Sequence, residues 1–118
     1  MIEGVHAIVF GQDAEAARAF FRDVLGLSGV DAGGGWLIFA LPPAEVAVHP
    51  TDGEPVHELY LMCKDVHATR AELQTKGVEF VEPVTDQGWG LVTRLKVPGG
   101  GDIGLYEPRH PSPLPNFG

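Results

Sequence analysis

Residues 6–27, HAIVFGQDAEAARAFFRDVLGL, decide the fold. His6, Ile8 and Phe10 alternate with Ala7 and Val9, the period-two pattern of a strand with two distinct faces. Asp13 then stands where a helix cap belongs. Ala17, Phe20, Phe21, Val24 and Leu25 fall on one apolar stripe, and Gly26 is placed to end the helix. The stretch predicts a strand, a turn and a helix, with His6 on the strand face that the helix leaves uncovered.

Outward from this unit, 118 residues with 44% hydrophobic side chains suffice for one globular domain with a buried core. The net charge of -8, from 16 acidic and 8 basic residues, argues against nucleic acid and acidic membrane surfaces, which need clustered Lys and Arg. The first residues carry no basic and apolar leader, and no run approaches the roughly 20 apolar residues of a spanning helix. The expectation is a cytoplasmic protein with no nucleic-acid or membrane partner. Cys63, the single cysteine, cannot form an intrachain disulfide and reads as a buried small hydrophobe. Sixteen glycines and ten prolines imply many tight turns, as in a strand-rich chain.

After the first helix, SGVDAGGG reads as a turn or weak strand and loop, and WLIFALP as a buried strand ended by Pro42 and Pro43. EVAVHP alternates again, with Val46 and Val48 on one face and Glu45, Ala47 and His49 on the other, and TDGEP is the linker. The pattern then restarts. ELYLMCKDVHATRAELQTKGV gives a strand, an Asp65 cap, a helix through about Lys76 and a Gly77 stop. An offset of 52 superimposes Asp65 on Asp13, Arg70 on Arg18, Ala71 on Ala19 and Glu58 on His6. Three further strands follow, VEFVEPV, LVTRLKV and DIGLYEP, turned by DQGWG and PGGG. His67 and His110 read as exposed, and the tail RHPSPLPNFG as irregular surface chain. The GGG runs at Gly33 and Gly99 lack a following Lys and read as hairpin turns, not phosphate cradles.

Two copies of strand, helix and three strands resemble the vicinal oxygen chelate superfamily, which includes glyoxalase I, extradiol dioxygenases and bleomycin-resistance proteins. The motifs are H-x(6)-D with FFRDVLGL (His6, Asp13, Phe20 to Leu27), the restart at Glu58 to Val66, WG-x(3)-R (Trp89, Gly90, Arg94) and PGGGDIGLYEP. The resemblance covers residues 4–108. It implies an α+β fold of two βαβββ modules, residues 4–50 and 56–108, whose curved mixed sheets pair around a cavity, with residues 109–118 as a Pro-rich tail. It further implies a homodimer, a small-molecule ligand or substrate and, commonly, one divalent metal. The first ligand position falls on His6, the second on Glu45 with His49 nearby, and the third on Glu58. The fourth, usually glutamate, falls on Gly104, and Glu107 should face away from it. His57 is one residue off the expected face.

Two classes of function follow, and the first, a metal-dependent enzyme, is favoured because His6 and Glu58 on matching faces are hard to explain as packing. In one, His6, Glu45, Glu58 and His49 hold Zn, Ni, Mn or Fe and polarise substrate oxygens, with Glu58 or Glu45 as general base. Such an enzyme would be a lyase, isomerase or dioxygenase without an organic cofactor. In the other, the cavity takes an aromatic or cationic ligand without metal, as a drug-sequestering protein does; Gly104 then opens space where a ligand stood. In both, Trp36, Tyr60, Met62, Trp89, Arg94 and Tyr106 line the pocket, although each tryptophan also suits a packed core.

Overall fold

The computed structural model describes residues 6–9, 12–45, 47, 50, 52–54 and 56–117. In the second half of the chain, β3 (Tyr60–Met62) leads into α2 (Val66–Thr75), and β4 (Phe80–Asp86), β5 (Gly90–Lys96) and β6 (Asp102–Pro108) follow. These strands form one four-stranded sheet in the order β3-β6-β5-β4. β3 pairs parallel with β6, Tyr60 opposite Gly104, while β6 with β5 and β5 with β4 are antiparallel. The parallel pair requires a crossover, and α2 provides the helix in it.

The first half contributes α1 (Ala14–Ala19), a π-turn (Phe20–Val24) and a hairpin of β1 (Gly29–Asp31) and β2 (Leu37–Phe39). Residues 6–9 belong to no strand, so the strand predicted there is not seen among them. The strand predicted at 45–49 is also absent at Glu45 and Ala47, while Val46, Val48 and His49 lie outside the described residues. The WLIFALP stretch is shorter and more exposed than predicted: only Leu37–Phe39 forms a strand, and Ile38 and Leu41 are exposed. A two-stranded hairpin has one face to lay on a helix. Phe39 uses it, stacking on Phe21 at 6.0 Å, and Ile38 alternates outward.

Both helices begin as the sequence predicts. Asp13 accepts from Ala16 N and Asp65 from Ala68 N, each at 3.0 Å, so the two caps are made the same way. Gly77, at φ 84°, closes α2 with Gly77 N to Gln74 O and Val78 N to Leu73 O, the paired bonds of a Schellman ending. Phe20, Phe21, Ala17, Val66, Leu73, Leu95, Val97, Ile103 and Leu105 form the core between the helices and one sheet face. Glu107 is on this side too, accepting from Val66 N at 3.1 Å, and so faces away from Gly104 as expected.

Candidate functional site

Strand alternation fixes what the other sheet face carries. Ile103 and Leu105 on β6, Leu95 on β5 and Leu61 on β3 go to the core, so Gly104, Tyr106, Arg94, Tyr60 and Met62 turn the opposite way. Tyr60, Trp89 and Tyr106 meet there edge to face, with centroid separations of 5.9 Å for Tyr60–Trp89, 5.7 Å for Tyr60–Tyr106 and 5.3 Å for Trp89–Tyr106. Such pairs prefer this geometry because the positive ring edge meets the negative ring face.

Gly104 is where the arrangement departs most from the resemblance. A Cβ built there would collide with Tyr60 Cδ1 and Cε1 and lie 2.9 Å from Cγ. The contact reaches the root of the ring, so no rotation of a flexible end relieves it. The glycine does not leave open space, as its loss of a side chain suggests. Tyr60, its partner across the parallel ladder, fills that space.

The carboxylates are occupied by hydroxyl donors. Tyr60 Oη donates to Glu58 Oε2 at 2.6 Å, and Glu58 lies just before β3, exposed. Tyr106 Oη donates to Glu45 Oε1 at 3.2 Å, and Ser112 Oγ donates to Glu45 Oε2 at 3.1 Å. Burial and then the adjacent Glu45 carboxylate push the Tyr106 phenol up to about 12. Burial and the Glu58 hydrogen bond likewise raise Tyr60. Arg94 lies 5.8 Å from the Tyr60 ring centroid and pairs with Asp102 at 3.1 Å; burial pulls the guanidinium down, but the Asp102 contact outweighs it and holds the charge.

His110 was not expected here. Its ring stacks on Tyr106 at 6.0 Å and 28°, its Nε2 is 3.3 Å from Tyr106 Oη, and its Nδ1 is 2.7 Å from Pro111 O. The expectation of an exposed residue fails because the tail turns back across β6 and lays the imidazole on the phenol ring. Ser112 was also missed.

The other predicted residues are placed less centrally. Trp36 is 64% exposed in the hairpin loop, with the Arg18 guanidinium carbon 4.9 Å from its ring centroid, and is not one of the three clustered rings. Met62 shares the face with Tyr60, opposite Tyr106 in register. His6 is exposed, and His49 lies outside the described residues. Among the described residues no three His, Cys, Asp or Glu side chains come together as the ligands of an ion. His6, Glu45 and Glu58 are therefore not gathered into one shell, and Tyr60 fills the space beside Gly104. A groove of about 420 Å³ lies elsewhere, between Phe20 and Val24 of the π-turn and Val78, Lys96 and Pro98, and contains none of the predicted site residues.

This fold matches the comparisons with known proteins. The sequence model of the Glyoxalase/Bleomycin resistance protein/Dioxygenase superfamily matches residues 5–104, and the chain belongs to that superfamily. No curated protein matches. Among solved structures, the chain is similar to TnmS3, described as an antibiotic binding protein from Streptomyces sp. CB03234, at 29% identity and TM-score 0.66, covering 91% of this chain and 97% of that one. A superfamily member from Sphaerobacter thermophilus DSM 20745 shares 23% identity at TM-score 0.63, with 89% and 97% covered. Lactoylglutathione lyase from Agrobacterium tumefaciens shares 15% identity at TM-score 0.62, with 89% and 93% covered, and supports the fold alone.

Proposed function

We propose that this chain binds a planar aromatic small molecule, cationic in preference, without a metal ion and without transforming it. The observation that carries the reading is the Tyr60 ring against Gly104, which puts an aromatic surface where the resemblance places a carboxylate donor. Tyr60, Trp89 and Tyr106 offer ring faces and edges for stacking. Glu45 and Glu58 stand at the hydroxyl ends of the two tyrosines, where they favour a positively charged ligand. The net charge of -8 acts in the same direction over longer range. The likeness to a protein described as antibiotic binding agrees with this reading.

The test is calorimetric titration with proflavine, a planar aromatic cation, in buffer containing EDTA, with 2-naphthoate as an anionic comparator. Saturable proflavine binding, weakened by Trp89→Ala and stronger than that of 2-naphthoate, is expected. Absence of binding, or binding that appears only on adding a divalent ion, overturns the proposal.

A further inference from the structure

The end of the chain occupies the face to which the ligand is assigned. Burial alternates along it: His110, Ser112 and Leu114 turn inward while Pro111, Pro113 and Pro115 are exposed. Each inward side chain has a distinct contact or setting. His110 stacks on Tyr106, Ser112 donates to Glu45, and Leu114 is 9% exposed. A ring lying nearly parallel to Tyr106 is what a bound aromatic ligand would present, and a donor to Glu45 is what its polar edge would supply.

The segment is held mainly through its side chains. Prolines at every second position fix φ, so ordering the segment costs less entropy than ordering a free chain. Arg109 N donates to Trp89 O at 2.9 Å and anchors the segment's start. Beyond it the described backbone N–H bonds are local, Leu114 N to Ser112 Oγ and Phe117 N to Leu114 O. Release therefore breaks side-chain contacts and no strand ladder.

We propose that residues 110–117 are an internal competitor for the site, the His110 imidazole taking the Tyr106 face that the ligand's ring requires. The inference rests on the aromatic-binding reading above. Because the competitor is tethered, it acts at high effective concentration, and the apparent affinity for ligand is reduced by the fraction of molecules in which the tail is seated.

The experiment follows Trp89 emission during proflavine titration in a Trp36→Phe background, comparing the full chain, a chain ending at Arg109, and His110→Ala. A dissociation constant at least roughly threefold lower in both altered forms is expected, as removal of a competitor requires. His110→Ala keeps the test decisive if the shortened chain does not fold. Equal or weaker binding in the altered forms overturns the competitor while leaving the binding function standing. No saturable binding by any form overturns the binding function and the competitor with it.

Discussion

At Tyr60 and Gly104 a parallel strand pair decides what the site can hold. A methyl group at position 104 would collide with the Tyr60 ring, so Gly104→Ala should destabilise the protein by roughly 1–3 kcal/mol, the usual cost of overpacking. Chemical denaturation should show most of that loss recovered in a Tyr60→Ala background; an unchanged loss would place the strain elsewhere. Both tyrosines of the chain titrate late, Tyr106 at about 12. A phenol with a raised folded value contributes stability that is fully present below its unfolded value and is lost as pH rises through the folded one. Absorbance near 295 nm should therefore show phenolate forming only in strong alkali, with Tyr106 last and stability falling over the same range. Burial also pushes the Cys63 thiol up, so alkylation by iodoacetamide at neutral pH should be slow until the chain is unfolded in urea. The residues of the aromatic face were legible in the sequence because alternation along β3 and β6 fixes which side chains share a side. His110 was not, because the prolines around it read as breakers. The signal present was the alternation in HPSPLP, which places His110, Ser112 and Leu114 on one side.

Among the elements, local signals were the most legible. Asp13 and Asp65 cap their helices identically, and replacing Asp65 by Ala should cost about 1 kcal/mol in thermal or chemical unfolding. A change within error would show that the α2 start is held by its Glu107 contact alone. The π-turn was written in the spacing: Asp13 to Gly26 is one residue longer than Asp65 to Gly77. A single inserted residue widens one helical turn, and Leu25 N accordingly bonds Phe20 O. In the first half the strand at Leu37–Phe39, paired locally in a hairpin, was legible in part, whereas the alternation at residues 6–9 and at Glu45 and Ala47 forms no strand there. The second half could be read in order because its helix cap, Gly77 stop and two hairpins all mark their own boundaries.

For the whole molecule, the shared fold leaves function to the site. The first half presents Ile8, Val30, Trp36, Ile38 and Leu41 to solvent, and a homodimer that covers part of this surface is the expected assembly, which sedimentation equilibrium would read directly. The Tyr60 ring stands against Gly104, the position to which the resemblance assigns a fourth metal donor. The most direct test of metal-free binding is elemental analysis of protein purified without chelator or metal-affinity tag, before and after dialysis against Zn, Ni, Mn or Fe(II). Far less than one ion per chain is expected in every case. A full equivalent of metal that falls when Glu58 is replaced by Gln would contradict it.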